Sequence, residues 1–193
     1  VLANVNQANI GDPVIQPGTL DGGSLENDVI GELFDYVALQ FANPNDPPEQ
    51  WPINLVDGAL AEIPFGVASR EIFWVGYPKG WRTRDMVGQA MIDGGGKFMV
   101  QKTGRTTAYT TGVVTDLGFD GWVNYDQGRL AFFEDQLLIQ PGTFSDPGDS
   151  GSIILDMEER IIGLLFAGGA THTIANHIED VWAGLPALEF SDL

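Results

Sequence analysis

A serine held between glycines stands in Asp146-Pro147-Gly148-Asp149-Ser150-Gly151-Ser152, directly before the apolar run Ile153-Ile154-Leu155. Two physical properties suit this arrangement to attack on a carbonyl. Flanking glycines let a substrate carbonyl approach the backbone closely. A tight turn can also aim successive backbone N–H groups at one point, which stabilisation of a tetrahedral oxyanion requires. The same composition describes an ordinary polar β-turn, so the motif alone leaves both readings open. The chain has only two histidines, His172 and His177, and both follow Ser150. Cysteine is absent, which excludes disulfides, a thiolate metal site and a cysteine nucleophile. Asp116, Asp120 and Asp126 flank an expected turn, but their spacing does not reproduce a calcium loop. No metal and no cofactor is expected.

The elements that must position Ser150 are short. Gly and Pro punctuate the chain, and between them lie the runs Val29–Phe41, Val56–Ile63, Glu71–Gly76, Lys97–Thr103, Ala108–Asp116, Arg129–Ile139, Ser152–Asp156 and Ile161–Ala167. Their lengths and their β-branched and aromatic content predict strands. Only Ile178–Leu185 has helical spacing, with Ile178, Val181, Trp182 and Leu185 on one face. Asn43–Pro52 is proline-rich and reads as a surface loop. Asp93-Gly94-Gly95-Gly96 reads as a linker. It divides the chain into β units at 1–92 and 97–193, and an all-β barrel or sandwich is expected.

The 193 residues are 44% hydrophobic, with 25 Gly and 11 Pro, which excludes disorder, collagen and coiled coil. Acids outnumber bases by 27 to 9, a formal charge of −18. Such a surface repels phosphate backbones, so no nucleic-acid partner is expected. No uninterrupted apolar run approaches the roughly 18 residues of a membrane span, so no membrane partner is expected.

Gly148-Asp149-Ser150-Gly151-Ser152 resembles the nucleophile motif of the chymotrypsin-fold, trypsin-like serine peptidases. Lys102-Thr103-Gly104-Arg105-Thr106-Thr107, leading into Thr111-Gly112-Val113-Val114, is similar to the opening of the second barrel in bacterial members. Ile162-Gly163-Leu164-Leu165-Phe166-Ala167-Gly168-Gly169 resembles the strand after the nucleophile, and that fold also ends in a helix. The first half matches more faintly, through Asp57-Gly58-Ala59-Leu60. The resemblance implies two antiparallel six-stranded β-barrels with a C-terminal helix, the first barrel incomplete in this chain. It implies peptide-bond hydrolysis through an acyl-enzyme. Ser150 would be the nucleophile, Asp57 the carboxylate that orients an imidazole, and the backbone of Gly148, Asp149 and Ser150 the oxyanion hole. It also implies an Arg105–Asp149 ion pair, which suits the need of a buried carboxylate for a partner. Phe144, Phe166, Ala167, Gly168 and His172 would line the substrate cleft. No acid clearly occupies the base of the pocket near Thr143-Phe144-Ser145, which argues against Arg or Lys specificity. A small or apolar residue is expected there, and His172 could instead recognise an acidic or polar side chain.

The base is the difficulty. The family order is His, Asp, Ser, and no histidine precedes Asp57. Related sequences carry a histidine directly before residues like Val1-Leu2-Ala3-Asn4. The catalytic histidine is therefore expected upstream of Val1, on a separate or cleaved chain or on a segment outside this sequence. A relative that has lost it would be a peptide- or protein-binding module. An α/β-hydrolase using Ser150 and His177 is excluded, because Ser152 replaces the final glycine of Gly-x-Ser-x-Gly and a strand, not a helix, follows. His177, at the helix start, reads as structural.

Overall fold

Short apolar and β-branched runs between turn residues build the second half of the chain. The computed structural model describes residues 3–125 and 128–186. In β5 (Phe98–Gly104) the side chains of Phe98, Val100 and Lys102 are buried, because successive residues of a strand face opposite sides. β6 (Ala108–Tyr125) and β7 (Arg129–Gln140) form a long hairpin, followed by β8 (Ile153–Asp156), β9 (Ile161–Gly168) and β10 (Thr173–His177). These six strands pair antiparallel in the order β10-β9-β8-β5-β6-β7, and β10 also pairs with β7. The sheet is thus closed on itself, which removes its edges. Val100, Val114, Leu137, Ile139, Phe144, Ile154, Ile162 and Leu165 fill the interior.

The first half forms a smaller sheet. β1 (Pro13–Ile15), β2 (Val29–Tyr36) and β4 (Ala59–Glu62) pair antiparallel in the order β1-β2-β4. β3 (Ile53–Asn54) instead joins β7 in parallel, Ile53 opposite Phe132. Trp51 packs on Trp122 and Phe132 beside this junction. The architecture is a double β-barrel in which the second barrel is closed and the first is incomplete. Helix α2 (Ile178–Gly184) packs Ile178 and Val181 on Val56, Leu155 and Ile161, as its spacing predicts.

The structure departs from the sequence pattern in four places. A helix, α1 (Arg84–Asp93), precedes the glycines, capped by Thr83, whose side chain accepts from the Met86 amide at 3.2 Å. Its only fully buried residue is Val87, so its apolar face is too narrow to show as periodicity. Gly94, Gly95 and Gly96 close its last turn, their amides bonded to Ala90, Ile92 and Met91 carbonyls. Glu71–Gly76 is a turn rather than a strand: Ile72 and Gly76 bond each other, and Phe73 and Trp74 point outward. Asp116 and Asp120 lie within β6, whose ladder to β7 is irregular there, and not about a turn; Asp126 lies outside the described residues. Thr173–His177 is a fully buried strand whose mixed polar and apolar residues carry no alternation.

Interior packing of this barrel gives a direct expectation. Ile154→Ala should lower unfolding free energy by about 3 kcal/mol in urea titration. Met99→Ala, on the same barrel but 45% exposed, should change it by no more than about 0.5 kcal/mol.

Candidate active site

Ser150 stands on a turn fixed by a buried carboxylate. The Asp149 amide donates to the Asp146 carbonyl at 3.0 Å, closing a four-residue turn with Pro147 second and Gly148 third. Gly148 has φ +104, the conformation a type II turn requires at its third residue. After the serine, the Gly151 amide donates to Leu165 (2.7 Å) and the Leu165 amide to Ser152 (3.0 Å), tying the turn to β9.

The Asp149 carboxylate points inward and accepts from the amides of Thr106 (2.7 Å), Thr107 (3.2 Å) and Asp146 (3.1 Å) and from the Thr107 hydroxyl (2.6 Å). Its cation is Lys102, with Nζ 3.3 Å away and both side chains fully buried. Lys102 Nζ also donates to Thr107 Oγ1 at 2.6 Å and lies 5.5 Å from the centre of the Phe144 ring. Burial pushes the Lys102 pKa down, against the pull of Asp149. For Asp149, burial pushes upward, but the hydrogen bonds of Thr107, Thr106 and Asp146 prevail and bring its pKa down to about 2.

The expected Arg105–Asp149 pair does not form. Arg105 lies beyond the end of β5 and pairs on the surface with Asp21, Nε donating to Oδ2 at 2.9 Å. Lys102 is at an inward position of β5, directly under the turn. Sequence reasoning missed Lys102; a lysine at an inward strand position is the signal that could have identified it.

Asp57 is held by the second barrel. Its amide donates to Asn176 Oδ1 (3.2 Å), and Asn176 Nδ2 donates to Gln136 Oε1 (2.8 Å). Gln136 Nε2 donates in turn to the Leu55 carbonyl (3.0 Å). Both amide side chains are buried. Tyr125, at the end of β6, donates its hydroxyl to Asp57 Oδ2 at 2.7 Å. Burial first, and the Asp57 charge second, push the phenol far above its ordinary value, so it remains a neutral donor. Sequence reasoning missed Tyr125, Asn176 and Gln136, because only the fold brings them beside Asp57.

One cleft of about 1510 Å³ is lined by both Asp57 and Ser150. Phe166, Ala167, Gly168 and His172 line it, as do Gly148 and Ser145. Phe144 does not reach it; its side chain is 1% exposed and belongs to the barrel interior. The adjoining Ser145 and Thr173 hydroxyls are 2.6 Å apart. Ser150 Oγ donates to the Phe166 carbonyl at 3.2 Å. Among the described residues, the Gly148 and Ser150 amides have no acceptor, whereas the Asp149 amide is used within the turn. Asp149 therefore does not contribute an amide to the expected oxyanion hole. His172 Nδ1 is 2.8 Å from Thr171 Oγ1, with its ring against Phe119. His177 is buried, its Nε2 donating to the Leu117 carbonyl at 2.8 Å, and burial pushes its pKa down.

No family model matches the chain, and no curated protein matches it. Solved structures do. A chymotrypsin of Cellulomonas bogoriensis superposes with TM-score 0.53 at 17% identity, over 86% of this chain and 77% of that one. A Nocardiopsis protease gives TM-score 0.53 at 15% identity, over 93% and 78%. A glutamic acid-specific serine protease described as using a histidine triad in substrate binding gives 0.51 at 17%, over 84% and 75%. The likeness defines the fold: the chain is a trypsin-like double β-barrel.

The depressed pKa of Asp149 has a sign that can be measured. Its contribution to stability is complete above the unfolded carboxylate value near 4 and is lost as pH falls through about 2; the span corresponds to roughly 2 kcal/mol. Urea unfolding against pH should show this acid loss, and Asp149→Asn should remove that share of it. Lys102→Met should cost about 3–5 kcal/mol at neutral pH, because the carboxylate stays buried without its cation.

Proposed function

We propose that this protein is a serine endopeptidase that hydrolyses peptide bonds through an acyl-enzyme, with its imidazole base supplied from sequence upstream of Val1. The observation that carries the reading is the single cleft shared by Ser150, two acceptor-free amides and the Asp57 carboxylate. Ser150 Oγ attacks the scissile carbonyl and gives its proton to the imidazole, which returns it to the leaving amine. The N–H groups of Gly148 and Ser150 receive the charge that develops on the carbonyl oxygen. Asp57 holds the imidazole in one tautomer and stabilises the imidazolium; Tyr125 occupies one carboxylate oxygen and leaves the other for the ring. Water then releases the acyl group by the same groups in reverse roles.

Two further observations support this assignment. Ala3, Val5 and Asn6 line the same cleft as Asp57. Asn6 fixes that segment, exchanging hydrogen bonds with the Leu39 backbone at 2.7 and 2.9 Å. The substrate would pair with Phe166–Gly168 as an added strand. The pocket beside Ser145, Gly168 and Thr173 would take a small side chain, with His172 at its margin able to favour a polar or acidic one.

A second reading rests on the present partners of the two groups: Ser150 bonds to Phe166 and Asp57 to Tyr125. In that reading the cleft captures a peptide without cleaving it. Fluorophosphonate labelling of the full-length protein separates the two. Labelling of Ser150, abolished in Ser150→Ala, supports the peptidase; a full-length protein that binds peptides and remains unlabelled supports the binding module. For the peptidase, Ser150→Ala should lower kcat by roughly 10⁶-fold and Asp57→Asn by about 10⁴-fold.

A further inference from the structure

We infer that the Thr106 hydroxyl fixes the Pro147–Gly148 peptide with its N–H toward the cleft, which makes Thr106 a positioning residue for the oxyanion hole. The inference rests on the reading of Ser150 as a nucleophile, and it names what keeps that site competent.

Pro147 at the second position of a turn is compatible with both type I and type II geometry. The two differ by a half-rotation of the peptide between the second and third residues. A trans peptide is planar, with its C=O and N–H pointing in opposite directions. In one orientation the Gly148 N–H faces the cleft; in the other the Pro147 carbonyl takes its place and opposes a developing oxyanion. Glycine at the third position permits either, so residues 146–149 do not decide the matter alone.

Thr106 decides it. Its Oγ1 donates to the Pro147 carbonyl at 2.8 Å, drawing that oxygen away from the cleft. Gly148 accordingly has φ +104, and its amide has no acceptor among the described residues. Thr106 lies against the turn and is not among the residues that line the cleft; a β-carbon at position 148 would come within 2.4 Å of its Oγ1. The hydroxyl is itself well placed, because the Thr106 amide is anchored on the buried Asp149 carboxylate at 2.7 Å. Thr107 is anchored on the same carboxylate. The carboxylate thus sets the position of the loop, and the neighbouring hydroxyl sets the direction of one peptide. The pairing is specific to this oxygen; Thr107 Oγ1, one residue on, is committed to Asp149.

The decisive variants are Thr106→Val, which keeps the shape and removes the hydroxyl, and Thr106→Ser, which keeps the hydroxyl. Thr106→Ala is a second hydroxyl-free variant should the valine fail to fold. Crystal structures of these chains give the first readout. The expected result is a rotated Pro147–Gly148 peptide, with negative φ at Gly148, in the hydroxyl-free variants and the original orientation in Thr106→Ser. An unrotated peptide in the hydroxyl-free variants overturns the inference. The second readout is kinetic, on the full-length protein. Fluorophosphonate labelling and kcat should fall by roughly ten- to a hundredfold in Thr106→Val, within the 10²–10³ lost when an oxyanion donor is removed outright. KM should change little, and Thr106→Ser should restore the rate. Equal rates in all variants also overturn the inference, while labelling of the wild type upholds the peptidase reading. An unlabelled wild type whose peptide rotates in Thr106→Val leaves the positioning role standing and removes the peptidase reading.

Discussion

The site depends on one buried charge pair. A carboxylate and an ammonium taken wholly out of water incur a desolvation cost of several kcal/mol each, which good geometry and additional hydrogen bonds must offset. Asp149 meets that requirement with three amides, one hydroxyl and Lys102. Every one of these partners belongs either to the turn that carries Ser150 or to the end of β5 and the loop after it. Ionising Asp149 therefore locks two segments together that are more than forty residues apart. Gly104 is part of the same requirement, since a β-carbon there would come within 2.3 Å of Asp149 Oδ1. The serine is exposed, but the carboxylate beside it in the turn is buried and fully bonded.

The acid that shares the cleft is positioned by different means. Asp57 lies on an irregular segment of the incomplete first half, between β3 and β4, where few ladder hydrogen bonds constrain it. Its position comes instead from Asn176 and Gln136, at the seam where β10 closes on β7. Closure of the second barrel consequently does two things: it buries an apolar interior, and it provides the amide groups that moor the first half. Tyr125 extends this arrangement, because the β6–β7 hairpin runs past the barrel and carries the phenol to the carboxylate.

Much of this was legible in the residues. Phe98–Gly104, Arg129–Gln140, Ile153–Asp156 and Ile161–Gly168 follow the runs read as strands, because short apolar, β-branched runs between turn residues survive in the sequence. The turn at Ser150 was legible because glycine is needed where φ is positive. What escaped was whatever the fold decides between distant residues. Arg105 looked like the partner of Asp149 by its place in a motif, yet strand parity turns Lys102 inward, and Arg105, past the end of the strand, pairs with Asp21 on the surface. Phe144 looked like a cleft wall, but its side chain packs into the barrel interior. Helix α1 has too narrow an apolar face to register, and the residues of β10 are all buried without alternating. Tyr125, Asn176 and Gln136 are ordinary polar residues until the barrel closes around them.

The most direct measurement is a crystal structure of the protein expressed with whatever sequence its gene places before Val1. The account predicts an imidazole between the two walls of the cleft, one nitrogen within about 3.2 Å of Ser150 Oγ and the other on the Asp57 carboxylate. It also predicts that the Ser150 hydroxyl turns from the Phe166 carbonyl to that ring. A cleft in which no imidazole lies between Ser150 and Asp57, or in which another side chain fills that space, would contradict it.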